Sequence, residues 1–311
     1  MNPQFLEKIL PKKELKEVKH EIEYYGAAKV LSEYVGWSWS PEKSKIKYWL
    51  HGWMYKNQKH VRQIKFWGEK NEPYFCHTKA QERFLKNQSH NLTKAIGAPF
   101  VYVPAQNIEK IQGSILLMPP HCTKNSPQKY NENAFLHSIL PLLSDFKYIF
   151  ACVTPDDAEQ GNWIHELKKR KINILEGATL YDQNALYRMR MIFEMFDVIL
   201  APNLGSHFPY AGLCGCRLSW FGDYEYPKKA DFKDDPFYQR YPEILKYEIE
   251  ENLSGYLERT YSKLRLSPGE ARSHRVWSEE QLGINYKQKP EKIIKLLEKG
   301  IKPSFFSAFM D

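Results

Sequence analysis

Short apolar runs alternate with amphipathic stretches along the chain from Ser114 to Gly222. Runs such as SILLMP, YIFACVT, INILEG and DVILAP are typical of strands buried in a parallel sheet. The stretches between them, such as NAFLHSILPLLSDF and DQNALYRMRMIFEMF, place apolar side chains on one side of a helix. This alternation predicts an α/β fold with a doubly wound parallel sheet, whose ligand-binding loops follow the carboxyl ends of the strands.

The N-terminal part of the chain has a less regular pattern. Residues 4–35 are expected to be mainly helical, with a break or helix start at Pro11, and another helix is expected to open at Thr78. The strands predicted in this part are KYWLHGW, RQIKFWG, PYFCHT and APFVYVP. We therefore predict one α/β lobe over residues 1–112 and a second over residues 113–311, which includes the terminal helices.

The part of the chain beyond Gly222 changes character. The segment DYEYPKKADFKDDPFYQRYPEI is polar, aromatic and proline-containing, so a loop or lid is expected there. Helices are predicted near 242–265 and 290–299. The last helix combines an Ile/Leu stripe with lysines, which favours packing back on the core and also suits contact with a membrane surface.

Composition is compatible with a globular protein of one large or two moderate domains. The chain has 311 residues, of which 42% are hydrophobic and 26% charged, and its mean hydropathy is -0.60. The formal charge of +8 and the pI near 9.0 suit a nucleic acid, an anionic membrane surface or a phosphate-bearing substrate. Charge alone does not choose among these partners.

Cysteine usage and the N-terminus favour a cytoplasmic protein. The five cysteines are odd in number and lie mostly in apolar runs, as reduced buried thiols do. The N-terminal segment is charged throughout, unlike a signal peptide, and no run approaches the roughly 20 apolar residues of a membrane span. Cys214 and Cys216 lack a second pair at zinc-site spacing, and no D-x-D element is present, so we expect neither a metal nor another cofactor.

The segment DVILAPNLGSHFPYAGLCG predicts a phosphate site. A buried strand ends at Pro202, and a helix follows directly after a loop with Asn203, Gly205, Ser206 and His207. Unsatisfied amides at a helix N-terminus attract anions, Gly205 would allow close approach, Ser206 could cap the helix or bind an oxygen, and His207 could donate to an anion. The alternative is an ordinary capped turn. The predicted donor site also includes one further residue of this segment, Tyr210.

The loop after SILLMP offers a second candidate site. His121 could act as an acid or base there, and Thr123, Lys124 and Asn125 could bind phosphate. Glu176 also follows a strand and is included among the donor-binding candidates.

Asp156 and Asp157 follow the run YIFACVT. Adjacent carboxylates diverge on a helix, so we interpret them as a helix cap and first turn rather than as a catalytic pair.

His51 is the candidate general base in the first lobe. It lies at the end of the run KYWLHGW, where Gly52 gives clearance and Trp49 and Trp53 flank the site. Such a histidine is placed to deprotonate an acceptor hydroxyl if it faces the second lobe. A core-edge histidine among aromatic side chains is an equal alternative.

Four segments together carry a resemblance to a known family. They are HGW at 51–53, IGAPFVYVP at 96–104, PPHCTKN at 119–125 and NLGSHFPYAGLCG at 203–215. Over roughly residues 24–222 the chain resembles capsule and O-antigen glycosyltransferases with a GT-B-like fold of two Rossmann-like lobes. The resemblance implies that the His-Gly loop at 51–52 faces the cleft from the acceptor lobe, and that the Ser-His loop at 206–207 receives the donor phosphate.

The implied reaction is metal-independent transfer of a sugar from a nucleotide-activated donor to a hydroxyl of a surface polysaccharide or glycolipid. His51 would be the base, His121 the reserve acid or base, and the acceptor would lie at the inner membrane face, which the protein could contact peripherally. More distantly, the chain resembles teichoic-acid glycerophosphotransferases and transferases that use CMP-activated sugars.

Two other functions remain open from the sequence. One is transfer of an alcohol phosphate, such as glycerol phosphate, from a CDP-activated donor. The other is non-catalytic nucleic-acid binding, which the charge and the aromatic content would suit. The aromatic residues are scattered and no recognition motif is present, so a nucleic-acid partner is not expected. The donor sugar, the nucleotide, the linkage and its stereochemistry stay open.

Overall fold

A computed structural model describes residues 3–122 and 130–302, and it confirms the α/β class with mainly parallel sheets. The strands are β1 (Tyr48–Trp49), β2 (Tyr74–Cys76), β3 (Thr93–Ala95), β4 (Ile111–Leu117), β5 (Tyr148–Val153), β6 (Asn173–Glu176), β7 (Phe196–Ala201), β8 (Arg217–Trp220) and β9 (Arg272–Ser273). The helices are α1 (Pro3–Ile9), α2 (Ala27–Val35), α3 (Lys79–Asn87), α4 (Glu132–Ile139), α5 (Pro155–Glu159), α6 (Ile164–Lys169), α7 (Ala185–Met195), α8 (His207–Leu213), α9 (Pro236–Arg240), α10 (Pro242–Leu253), α11 (Tyr256–Thr260), α12 (Arg275–Leu282) and α13 (Pro290–Lys299).

The larger sheet has six strands in the order β6-β5-β4-β7-β8-β9. All neighbours pair in parallel except the short edge strand β9, which is antiparallel to β8. Successive side chains point to opposite faces, so Leu116 joins one hydrophobic cluster and its neighbours Ile115 and Leu117 join another. Both faces of the sheet are therefore buried, which explains why its strands are continuous apolar runs.

Helices cover both faces of this sheet, as the alternating pattern predicted. Phe135 of α4 and Leu167 of α6 belong to the cluster with Ile115, whereas Ile192 of α7 and Phe208 of α8 belong to the cluster with Leu116. The doubly wound arrangement is thus confirmed for this part of the chain.

The smaller sheet has three parallel strands in the order β1-β2-β3, each only two or three residues long. α3 connects β2 to β3 and begins after Thr78, as predicted. The Thr78 hydroxyl accepts from Gln81 N, and the Gln81 side chain accepts from Thr78 N.

Two predicted strands in this part are wrong. RQIKFWG begins within the 3-10 helix Val61–Gln63 and forms no strand, because the His60 ring accepts from Arg62 N and the Gln63 side chain accepts from His60 N. APFVYVP contains the 3-10 helix Pro99–Tyr102, which begins with proline and has all four side chains buried. β3, by contrast, was not predicted.

Each end of the chain packs against elements of the other part of the chain. α1 packs against β6 of the larger sheet, and α13 packs against α2. Side chains from both ends, including Leu6 and Ile293, share one hydrophobic cluster with Leu116 of the larger sheet. Because this cluster continues across residue 112, the two-lobe division there stays a prediction.

The last described helix, α13, buries Ile293 and Leu297, and the Leu297 carbonyl accepts from Lys45 N at 3.0 Å. The predicted packing of this helix on the protein is therefore confirmed. No helix within residues 3–122 or 130–302 has the length and apolarity that crossing a membrane requires.

Candidate functional site

A pocket of about 320 Å³ lies where the order of the larger sheet reverses. The chain runs outward from β4 to β5 and β6 on one side, and from β7 to β8 on the other. Loops that leave β4 and β7 therefore diverge, and the crevice between them is the usual ligand position in such sheets. His121, after β4, and Asn203–Ser206, after β7, line this pocket.

Aromatic side chains form much of the remaining pocket wall. They come from the turn after β1, from the residue Tyr130 before α4, and from the segment between β8 and α10, which the sequence predicted to be a loop or lid. The aromatic lining residues are Trp53, Tyr55, Tyr130, Tyr224, Tyr226, Phe232 and Tyr238. A concave site with aromatic walls and a few polar groups suits a flat organic ligand.

Lys56 and Glu248 bring an ion pair to the wall of this pocket. Nζ of Lys56 lies 3.0 Å from Glu248 Oε2, which also accepts from the Tyr238 hydroxyl at 2.8 Å. Burial acts against the charged amine, but the neighbouring Tyr55 and Glu248 outweigh it and raise the pKa of Lys56, so the side chain is an ammonium at neutral pH. The sequence does not mark this lysine, because nothing in its local pattern distinguishes it from other surface lysines.

Ser206 joins the pocket to the His-Gly loop after β1. Its Oγ accepts from Trp53 N at 2.8 Å, and a Cβ added at Gly52 would lie 3.4 Å from the same oxygen. Its side chain does not cap α8, contrary to one of the predicted roles. The Tyr210 hydroxyl adds a second link, since it donates to the His51 carbonyl at 3.1 Å. The two loops that the sequence singled out are therefore in direct contact.

Gly205 makes room for the ring of His207. A Cβ at Gly205 would lie 2.9 Å from Cε1 of that imidazole, so the space is filled by the ring rather than left for a ligand. Nε2 of His207 is 3.2 Å from the Asn203 carbonyl, which fixes a proton on Nε2. Withdrawal from water, helped by nearby His121, lowers the pKa of His207 to about 3. His207 is therefore neutral and shapes the loop, and a hydrogen bond from it to an anion stays a prediction.

His207→Ala should weaken the binding of a ligand that contacts the Asn203–Ser206 loop about 2–10-fold, because one neutral hydrogen bond that holds this loop is lost. The loss should be the same between about pH 5.5 and 8, since this imidazole does not titrate in that range. Calorimetric titration of wild type and variant at both pH values measures it. A loss that appears only at the acidic pH would show that a charged His207 contacts the ligand.

His51 lies on the other side of Ser206 and is not among the described residues that line the pocket. Its ring contacts Tyr24 edge-on at 5.2 Å between centroids and Phe66 at 5.6 Å. Nδ1 is buried and has no hydrogen-bond partner, while the side chain is 24% exposed. The exposed part of the ring is therefore the edge away from Nδ1.

Nδ1 of His51 faces a buried carboxylate, that of Glu21. The distance from Nδ1 to Oε1 is 3.7 Å, which is too long for a formed hydrogen bond. Glu21 lies in the 3-10 helix Glu21–Gly26, thirty residues before His51 in the sequence. No local pattern in the sequence marks this pairing, so the analysis of the sequence missed it.

The other predicted site residues fall in different places. Glu176 lies at the end of edge strand β6 and pairs with Lys13 at 2.8 Å, away from the pocket. Tyr210 stacks on Phe100 with centroids 4.1 Å apart. His121 is exposed at the pocket, and its carbonyl accepts from the Tyr130 hydroxyl. Thr123, Lys124 and Asn125 lie outside the described residues.

The interpretation of Asp156 and Asp157 as a first helical turn is confirmed. Both lie in the first turn of α5, and Thr154 is the N-cap. Asp157 is buried and accepts from the Thr154 hydroxyl at 2.6 Å and from Cys122 N at 3.2 Å. This carboxylate therefore ties the loop after β4 to α5.

No protein-family model, curated protein or solved structure matches this chain. Among the residues that the structure describes, no three His, Cys, Asp or Glu side chains are grouped as metal ligands would be.

Proposed function

We propose that this chain is a glycosyltransferase with a GT-B-like arrangement of two Rossmann-like lobes. It would transfer a sugar from a nucleotide-activated donor to a hydroxyl of a surface polysaccharide or glycolipid. The observation that carries this proposal is the aromatic pocket at the reversal point of the larger sheet, which is joined through Ser206 to the loop of a histidine backed by a carboxylate. Donor site and base would then lie side by side.

The pocket suits the nucleotide part of such a donor. Its volume is at the lower end of the roughly 300–1,000 Å³ of ordinary ligand sites, which fits a nucleoside with part of its phosphates. Aromatic rings such as Tyr224 offer stacking surfaces to a base. The Lys56 ammonium, which is paired with Glu248, and the loop at Asn203–Ser206 offer hydrogen-bonding groups to phosphate.

His51 would act on the acceptor. It removes the proton of the acceptor hydroxyl as that oxygen forms a bond to the anomeric carbon, while the bond from that carbon to the phosphate oxygen breaks. The nucleotide leaves with the bonding electron pair. His121 at the pocket wall and the Lys56 ammonium are placed to stabilise the negative charge that develops on the leaving phosphate.

A thermal-shift screen of nucleotides and nucleotide sugars tests the proposal. A ligand at 100 times its Kd stabilises the folded state by about 2.7 kcal/mol, so the true nucleotide should raise the Tm measurably. Selective stabilisation by CMP or CDP-glycerol would redirect the proposal to alcohol-phosphate transfer or to a CMP-sugar. Salt-sensitive binding of DNA or RNA, without any nucleotide effect, would contradict it in favour of nucleic-acid binding.

Turnover is expected to persist in excess EDTA, because the side chains described above would stabilise the leaving phosphate in place of a metal. The measurement is nucleotide release with and without chelator, followed by addition of Mg²⁺ or Mn²⁺. A strict requirement for either ion would contradict the assigned chemistry.

A further inference from the structure

Glu21 is a buried carboxylate that faces a histidine. The residue is 2% exposed, and its Oε1 lies 3.1 Å from the Tyr74 hydroxyl and 3.7 Å from Nδ1 of His51. The other oxygen, Oε2, is buried and has no hydrogen-bond partner. An incompletely paired buried carboxylate is costly, so it calls for a functional explanation.

A second unpartnered buried atom lies beside it, namely Nδ1 of His51. The two groups therefore face each other with a gap that a small movement of the imidazole would close into a hydrogen bond. Contacts between a catalytic base and the group that orients it are often long in the absence of substrate and tighten on binding. Gly52, which follows His51, leaves the loop free of a side chain at this point.

The neighbours of the carboxylate are themselves held in place. The Tyr74 hydroxyl also contacts the Ile64 carbonyl at 2.5 Å, and Tyr74 lies in β2, the central strand of the smaller sheet. The buried Lys65 donates to the Glu69 and Glu72 carbonyls. The carboxylate thus belongs to the scaffold, whereas the imidazole that it faces is partly exposed.

We propose that Glu21 is the positioning residue for His51: it accepts a hydrogen bond from Nδ1–H, directs Nε2 towards the acceptor hydroxyl, and stabilises the imidazolium that forms on proton transfer. This inference rests on the proposed function, since it assigns a partner to the base of that reaction. The proton passes from the acceptor hydroxyl to Nε2, and Glu21 is not itself protonated in that step.

The charged and titratable groups around the pair are consistent with this role. Burial raises the pKa of Glu21, and nearby His51, Tyr74 and Lys65 act in the opposite direction. Tyr24, Tyr25 and His77 also lie near the imidazole. A buried carboxylate with a raised pKa gains most from a new positive charge, and the imidazolium supplies that charge during the reaction.

Glu21→Gln tests the proposal, with Glu23→Gln as its matched control. Glu23 lies in the same 3-10 helix and is also buried, but its carboxylate accepts from Lys19 N and His20 N rather than facing His51. Glu21→Gln should lower kcat by about 10²-fold with KM and nucleotide affinity nearly unchanged, because orientation and imidazolium stabilisation are lost. The acidic limb of its kcat/KM profile should move to lower pH. Glu23→Gln should leave kcat and the kcat/KM profile as in wild type.

A spectroscopic measurement on the wild-type protein tests the pair without any turnover. Nitrogen-15 spectra of the histidines should show neutral His51 with its proton on Nδ1. A proton on Nε2 would overturn the proposal even if the enzyme transfers sugar, and so would wild-type kcat in a folded Glu21→Gln protein. Failure of any nucleotide sugar to react would count against the proposed function alone, since the tautomer is measured independently.

Discussion

His51→Ala is expected to lower kcat by about 10²–10⁴-fold, the usual contribution of a positioned general base. Nucleotide affinity should change by less than about twofold, because the imidazole is not among the described residues that line the pocket. His51→Gln keeps hydrogen-bonding capacity but cannot accept the proton, so it should be severely impaired as well. Turnover and nucleotide affinity are measured on the same preparations.

The aromatic contacts of His51 make thermal stability a necessary control for this variant. The ring packs against Tyr24 and Phe66, so its removal could loosen the loop. His137→Ala removes an exposed histidine of α4 and should leave turnover and stability unchanged. Lost turnover with retained stability supports catalysis, lost stability supports a packing role, and full turnover eliminates His51 as the base.

Gly26→Ala is expected to destabilise the protein by roughly 2–5 kcal/mol, combining the left-handed backbone cost with severe overpacking. Gly26 has φ +75°, and a Cβ there would lie 2.1 Å from the Gln183 carbonyl oxygen. That oxygen belongs to the backbone before α7, so it cannot move aside as a side chain could. This glycine therefore permits the close approach of the helix that carries Glu21 to the segment before α7.

Gly36→Ala separates the cost of the left-handed backbone from the cost of overpacking. Gly36 also has a left-handed backbone, with φ +64°, but a Cβ there would meet nothing within 4 Å. Its cost should be limited to about 1–2 kcal/mol of backbone strain. Guanidinium unfolding of both variants gives the comparison, and equal losses would show that the approach at Gln183 does not constrain the fold.

The larger sheet could be predicted from the sequence because strands that are buried on both faces consist of continuous apolar runs. The run around Phe150 is apolar at every position and is followed by an amphipathic helix, so its strand is recognisable without a structure. The loop at Asn203–Ser206 was found for the same reason, since ligand-facing loops follow such strands. The pattern therefore located one wall of the pocket.

The smaller sheet and the rest of the site could be predicted only in part. β1 and β2 lie within two of the predicted strands, KYWLHGW and PYFCHT. The run at Pro99–Tyr102 is buried throughout, so its pattern does not distinguish a strand from a 3-10 helix. β3 contains Thr93 and Lys94, which do not form the apolar run that is typical of a buried strand. Pairing with β2 holds it in the sheet. Glu21 and Tyr224 reach the site through the tertiary fold, so their proximity to His51 and to Ser206 is visible only in three dimensions.

The nucleotide pocket is the central claim, and calorimetric titration of the nucleotide sugar selected by the thermal-shift screen tests it most directly. Tyr224 lines the pocket, whereas Tyr247 of α10 is not among its described lining residues and lies beneath the Lys59 ammonium at 5.4 Å. Loss of one base-stacking ring costs about 1–3 kcal/mol, so Tyr224→Ala should weaken binding roughly 5–150-fold. Tyr247→Ala should bind as wild type does. Equal affinity of wild type and Tyr224→Ala, or no binding of any nucleotide sugar by the wild-type protein, would contradict the account.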